Sequence, residues 1–266
     1  MQKLVFITGA SSGIGQALSW RFYAAGYQLA LVARRVDIVA SWASQMGISE
    51  SAYKIYGADV CDVDRLIDAA NACIQIQGLP DVVIANAGIS VGMDTAIRAD
   101  INVMAKIFAT NNVGMAATFH PFIEPLLLRY KTNGRSARFV GIASVAGIRG
   151  LPGHGAYCAS KAAVISYCES LRGELRHSSG VGDVNVVTIC PGYVDTPLTQ
   201  KNRYSMPFLM APDDFADKAF KAIERGKSYV VIPWQMGALA CLLKWLPNAI
   251  FDRLLANRPR KDRTAS

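Results

Sequence analysis

The sequence predicts an α/β chain: one domain on a doubly wound parallel sheet of about seven strands, with helices on both faces. Three observations predict it. A length of 266 residues, 52% hydrophobic and 18% charged, supports one large core and excludes a disordered chain. Seven short β-rich runs follow one another, at residues 3–7, 28–33, 53–58, 81–85, 137–142, 183–189 and 228–232. Between them lie stretches with the length and amphipathic spacing of crossover helices, at 16–25, 63–76, 99–129, 156–177 and 212–224. The last of these opens on Pro212, Asp213 and Asp214. Proline suits a first helical turn, and carboxylates suit its positive dipole end.

Composition narrows the function classes. No run approaches the roughly 20 apolar residues that span a bilayer. The apolar run in the first ten residues is too short for a secretory signal, so cytoplasmic residence is the expectation. Six cysteines show no CxxC pair and sit in apolar segments, which suits reduced core residues. With His120, His154 and His177 scattered, no metal site is expected. The net charge of +8 owes much to the tail residues Arg253, Arg258, Arg260, Lys261 and Arg263, so nucleic acid is not the expected partner.

In doubly wound sheets, ligands bind outside the carboxyl ends of the strands. There the first predicted strand leads into Thr8-Gly9-Ala10-Ser11-Ser12-Gly13-Ile14-Gly15, with a helix expected from about Ile14. Glycines allow a tight turn, and the helix N-terminus presents unpaired N–H groups to an anion. Gly9, Ser11, Ser12, Gly13, Ile14 and Gly15 are therefore candidate pyrophosphate contacts. The GxxxGxG spacing lacks the lysine of a nucleoside triphosphatase loop, which disfavours phosphoryl transfer. The second strand ends on Arg34 and Arg35, where an NAD site would carry a carboxylate for the ribose 2′-hydroxyl. Arginine forks suit a 2′-phosphate, so NADP(H) is expected over NAD(H).

Tyr157 and Lys161 stand four apart at a predicted helix start, so both project from one face. An ammonium beside a phenol favours the phenolate and should lower its pKa from about 10, making a usable general acid or base. Ser144, just past the fifth strand, could hold a substrate oxygen beside the phenol. TGASSGIG, Asp59-Val60, Asn86-Ala87-Gly88, the Ser144/Tyr157/Lys161 set and Pro191-Gly192 occur together and in order. On these motifs residues 3–232 resemble a compact short-chain dehydrogenase/reductase, a Rossmann-like fold.

The resemblance implies hydride transfer between NADP(H) and a carbonyl or alcohol. Tyr157 would move the proton, Lys161 would lower its pKa and bind the nicotinamide ribose, and Ser144 would hold the substrate oxygen. Asn111, in Asn111-Asn112-Val113-Gly114, would complete the set by holding a water that links the lysine to solvent, with Asn112 the alternative by one residue. Asp59 and Val60 would contact adenine, and Asn86, Ala87 and Gly88 would pass over the adenosine ribose. After Pro191 and Gly192, Val194 and Thr196 would reach the nicotinamide carboxamide and nearby phosphate. A homodimer or homotetramer is implied. The rival reading is a non-catalytic NADP(H) sensor or scaffold of the same fold. Nucleotide-sugar epimerases usually have longer chains and a different glycine spacing.

Residues 1–232 form the expected dinucleotide-binding and catalytic unit. Within it, 198–211, with Met206, Phe208, Leu209 and Met210, is the expected substrate segment, and its apolar side chains point to a hydrophobic substrate. Packing of that segment on its own core is the competing reading. Residues 233–266 form an apolar extension with a basic tail. Three readings compete for it: a subunit interface, a cover for the substrate pocket, and peripheral membrane contact through 233–263.

Overall fold

The computed structural model describes residues 2–179, 184–200, 202, 205–256 and 263. Seven parallel strands form one sheet in the order β3-β2-β1-β4-β5-β6-β7. They are β1 (Leu4–Thr8), β2 (Gln28–Ala33), β3 (Tyr53–Gly57), β4 (Val82–Ala85), β5 (Ala137–Ile142), β6 (Val184–Pro191) and β7 (Tyr229–Ile232). The expected doubly wound sheet with helices on both faces is the observed fold.

Side chains alternate across a strand, so each strand feeds two cores. In β1, Leu4 and Phe6 face one core, and Val5 and Ile7 face the other. The first core packs on α3 (Val63–Ile76), α5 (Gly114–Asn133) and α6 (Gly155–Ser179). The second packs on α1 (Gly13–Ala24), α2 (Val36–Gln45) and α7 (Pro212–Glu224). Burial on both faces is why the strands read as near-continuous apolar runs.

Two predicted helices, α3 and α7, have the observed limits. Asp62 caps α3 by accepting from Arg65 N, and Pro212 opens α7. Between β2 and β3 the pattern singles out no helix, whereas the chain forms α2. That helix is short, and no side chain caps its N-terminus. The single helix expected over 99–129 is α4 (Asp100–Phe108) and α5 joined through a π-turn at Ala109–Val113. Such one-turn bulges reaim a helix face and occur often at functional sites. Past β7, α8 (Trp234–Trp245) and α9 (Asn248–Leu255) complete the described chain.

Cys73, Cys158, Cys168 and Cys190 are buried as expected, but Cys61 and Cys241 are exposed. Apolar neighbours in sequence do not guarantee burial, since the flank of a turn and the outer face of a helix both reach solvent. Among the described residues no helix is long and apolar enough to cross a membrane, and no cluster of three or more metal-ligating side chains forms.

At the sheet centre Phe6 is fully buried and meets Phe122 edge to face, ring centroids 4.9 Å apart. Truncating a fully buried phenylalanine removes transfer energy and leaves a void. Phe6→Ala should therefore cost about 3–5 kcal/mol in urea-unfolding free energy, and a loss below about 1 kcal/mol would contradict this packing.

Candidate active site

Strand order reverses at β1, whose neighbours β2 and β4 carry the chain to opposite sides. Their loops diverge at the carboxyl edge and leave a cavity of about 970 Å³. Gly9, Ser11, Ser12, Gly13 and Ile14 line it, as do Arg34, Arg35, Asp59, Val60, Asn86, Ala87 and Gly88. Ser144, Tyr157, Lys161, Pro191, Gly192, Val194 and Thr196 line it too. Of the candidate residues, only Gly15 and Asn111 stand behind this wall.

Gly15 has a packing role in the turn. A Cβ there would run into the Gly9 carbonyl oxygen and come 2.8 Å from Asn86 Nδ2, so only glycine lets α1 start so close to β1. Ser12, at the N-cap of α1, makes no side-chain capping bond, and the first turn carries no acidic residue. Its backbone N–H groups are thus left for an anion. Asn86 stitches the turn to β4 by donating from Nδ2 to Thr8 O (3.1 Å) and Gly9 O (3.2 Å). That side chain holds the loop; it does not reach into the cavity as a free donor.

Arg34 reaches Asp59 at 3.5 Å, and Arg35 Nη2 lies 3.5 Å from Ser11 Oγ. Both arginines are exposed at the cavity rim. Asp59 also accepts from Cys61 N at 3.0 Å, which shapes the loop after β3. Two charged forks flank an open helix N-terminus at one end of an elongated cavity. These residues fit the phosphates of a dinucleotide.

At the other end, α6 brings Tyr157 and Lys161 beside β5. Lys161 Nζ is buried and donates to Ile142 O at 2.8 Å. Burial pushes this ammonium down to about 8. Burial pushes the Tyr157 phenol up to about 12, its hydrogen bond with Ser144 pulls the other way, and the Cys158 and Cys190 thiols add to the rise. Sequence spacing led to the expectation of a phenol lowered by Lys161. The structure differs because burial dominates at the phenol while the ammonium is turned to Ile142 O, 5.8 Å from the tyrosine ring centroid. Ser144 Oγ also accepts from Ala146 N at 3.1 Å, which fixes the hydroxyl at the end of β5.

The π-turn settles which asparagine faces the lysine. Asn111 accepts from Ile89 N (2.8 Å) and donates to Ile89 O (3.0 Å) and Ser160 Oγ (2.9 Å). A point one bond above Gly88 lies 3.3 Å from Asn111 Oδ1 and 3.4 Å from Lys161 Nζ. Asn112 turns away and donates to Ser160 O at 2.9 Å. Gly114 completes the NxxG pattern for a packing reason: a Cβ there would stand 2.9 Å from both Val60 Cβ and Val60 O.

The expected segment 198–211 does line the cavity, but not through the four apolar side chains singled out for it. Val194 pairs with Met210 in an isolated bridge, Met210 packs into the second core, and Phe208 and Leu209 are exposed. Leu198, Thr199, Asn202 and Pro207 face the cavity instead. Lys201, Arg203 and Tyr204 of that segment lie outside the described residues. The apolar wall comes from the C-terminal extension: Met236, Leu239, Ala240 and Leu243 of α8 and Phe251 of α9.

Arg149, which sequence reasoning missed, ties this wall to the loop after β5 that carries Ser144. Its guanidinium donates to Leu243 O, to Leu246 O (2.8 Å) and to Asn248 Oδ1 (2.9 Å), and stacks 3.7 Å above the Phe251 ring. Five donors in a planar fork suit such a clamp. No local motif marks it, because its partners lie about a hundred residues away in sequence.

A parallel doubly wound sheet with a glycine turn, a phenol and a lysine on one cavity defines a dinucleotide-binding oxidoreductase. The profile of the short chain dehydrogenase family matches residues 3–206. An uncharacterized oxidoreductase of Myxococcus xanthus is 34% identical over 94% of this chain and 95% of its own. The chain belongs to the short-chain dehydrogenase/reductase family and is an oxidoreductase of it. Two solved structures share the fold. A short-chain dehydrogenase/reductase from Burkholderia phymatum in complex with NAD has a TM-score of 0.80 at 24% identity, covering 100% of this chain and 97% of that one. An alcohol dehydrogenase from Thermococcus sibiricus complexed with 5-hydroxy-NADP has a TM-score of 0.74 at 23% identity, covering 87% and 96%.

The buried ammonium has a measurable signature. With a folded pKa of about 8 against 10.5, Lys161 binds fewer protons folded than unfolded between those values. Its burial thus destabilises the fold most below pH 8, and the cost is relieved as pH rises toward 10.5. The full span is on the order of 3 kcal/mol. The stability of wild type relative to Lys161→Met should therefore rise between pH 7.5 and 10 in denaturant titrations of the cofactor-free protein. A pH-independent difference would count against the buried charge.

Proposed function

We propose that this protein reduces a hydrophobic carbonyl compound to its alcohol with NADPH, reversibly, with Tyr157 as the proton donor. The observation that carries this reading is that Ser144, Tyr157 and Lys161 share one cavity wall with the glycine turn and both rim arginines. When bound, the dinucleotide supplies or accepts the hydride. The chain's own groups do the rest.

The Tyr157 phenol, raised to about 12, is protonated at neutral pH and poised to give its proton to an oxygen that gains charge. Ser144 Oγ, held against Tyr157 and Ala146 N, donates a second hydrogen bond to that oxygen and orients the carbonyl carbon. Lys161 presents a cation beneath the phenol and is the group placed to hold ribose hydroxyls. Asn111 fixes Ile89 and Ser160 behind the lysine, which positions the water route that would return the proton. Met236, Leu239, Ala240, Leu243 and Phe251 keep the reacting end apolar, which favours apolar substrates and strengthens each hydrogen bond made there.

Preference for NADP(H) rests on Arg34 and Arg35, with no acidic residue at the end of β2. The fold does not choose between the cofactors, since neighbours with NAD and with an NADP derivative both share it.

Tyr157→Phe keeps shape and loses the acid. It should bind NADPH within about threefold of wild type yet lose roughly 10²–10⁴ in kcat on a ketone panel. Unchanged turnover would remove the assigned role, and NADPH binding without turnover of any carbonyl by wild type would favour a sensor. For the cofactor, Arg34→Asp and Arg35→Ser should each weaken NADPH binding by about 10- to 100-fold, the range of a charge-assisted bond, while sparing NADH. Retained NADPH preference in both variants would assign the discrimination elsewhere.

A further inference from the structure

The outward face of α8 is apolar where a solvent-facing helix would be polar. Trp234, Ala238, Cys241, Leu242 and Trp245 recur four, three, one and three residues apart, which is one stripe of a helix, and all are exposed. Trp234 is 73% exposed and Trp245 is 82% exposed. Ile250 and Leu254 extend the exposed apolar surface on α9. The opposite stripe of α8, with Met236, Ala240 and Leu243, faces the cavity. The helix is therefore apolar on both sides, and the cavity accounts for only one of them.

We propose that the outward face of α8 and α9 docks on an anionic lipid surface, lying in its plane. Tryptophan has an apolar body and one N–H donor, and its preferred depth in a bilayer is the headgroup boundary. Here two of the chain's four tryptophans stand at the two ends of one helix, with Leu242 between them. Charge points the same way. Lys244 beside Trp245 and Arg253 on α9 are exposed, with Asp252 the one acidic residue of the two helices. From residue 234 to the C-terminus, six lysines and arginines stand against two aspartates, half of the chain's surplus of eight.

A basic segment with an apolar face and terminal aromatics matches the interfacial mode of binding. A second copy apposed through the same face would instead set like charges against each other. Since no described helix is long enough to cross a membrane, the contact is peripheral. Docking would put lipid one helix diameter, ~10 Å, from the cavity lining. That lipid-dissolved carbonyl compounds use this proximity rests on the function proposed above; the docking itself does not.

The test is co-sedimentation of the full-length chain with vesicles at low salt. Phosphatidylcholine alone is compared with phosphatidylcholine carrying roughly a third phosphatidylglycerol, and tryptophan emission is followed in parallel. Binding to the anionic vesicles with a blue shift is expected. Trp234→Ser/Leu242→Ser/Trp245→Ser should weaken it at least ~10-fold while leaving NADPH affinity and melting temperature unchanged. Three results would overturn the proposal: no binding by wild type, binding indifferent to the triple substitution, or loss of binding only on neutralising Arg258, Arg260 and Lys261. A triple variant that sediments as a smaller oligomer while wild type ignores vesicles would assign the face to a second copy. Because sedimentation needs no turnover, its outcome stands apart from that of the reductase assay.

Discussion

The divergence of β2 and β4 on either side of β1 is the constraint on which the rest depends. Parallel strands all end on one edge, and each crossover there must depart toward one face or the other. Where neighbouring crossovers leave in opposite directions, the backbone cannot close over the edge, and a crevice opens. The glycine turn, the arginine rim, the loop after β4 and the start of α6 all border that crevice. Their chemistry differs, but their meeting follows from strand order alone. Asn86 secures the crevice by bonding the end of β4 to the turn after β1.

Low polarity then gives the far end of the cavity its character. Lys161 is held by one carbonyl, Ile142 O, and burial shifts its pKa and that of Tyr157 in opposite directions. Each shift favours the neutral form. The phenol is thereby kept protonated at neutral pH, and the lysine carries a charge that the fold tolerates at a cost. Ser144 lies between strand and phenol, fixed by Ala146 N.

The C-terminal helices join this site to the molecular surface. Arg149 departs from the loop after β5 and closes on carbonyls at the end of α8, on Asn248 and on the Phe251 ring. One side chain thus adds a donor to the Leu243 and Leu246 carbonyls at the end of α8 and fixes the apolar wall relative to Ser144. The cavity wall and the outward tryptophan face are two sides of the same helix.

Much of this was legible in the sequence. The β-rich runs locate all seven strands, because strands buried on both faces leave uninterrupted apolar signals. The start of α7 was marked by Pro212, since such signals act over a few residues. Gly9, Gly13, Tyr157, Lys161 and Ser144 were legible as a group, their spacing being tied to strand ends. Sequence did not disclose the π-turn that aims Asn111 toward Lys161, the pairing of Arg34 with Asp59, or the direction of the tyrosine shift. These depend on burial and on partners brought together only in space. Nor did it choose among the three readings of the C-terminal extension, of which a cover for the pocket fits α8 and α9, or say that 198–211 would line the cavity through Leu198, Thr199, Asn202 and Pro207 rather than through Met206, Phe208, Leu209 and Met210. Local pattern determined the elements and the chemistry-bearing positions, because those signals are encoded within a turn or two of chain. Tertiary structure alone decided which side chains face one another, because contacts such as that of Arg149 with Asn248 join residues 99 apart.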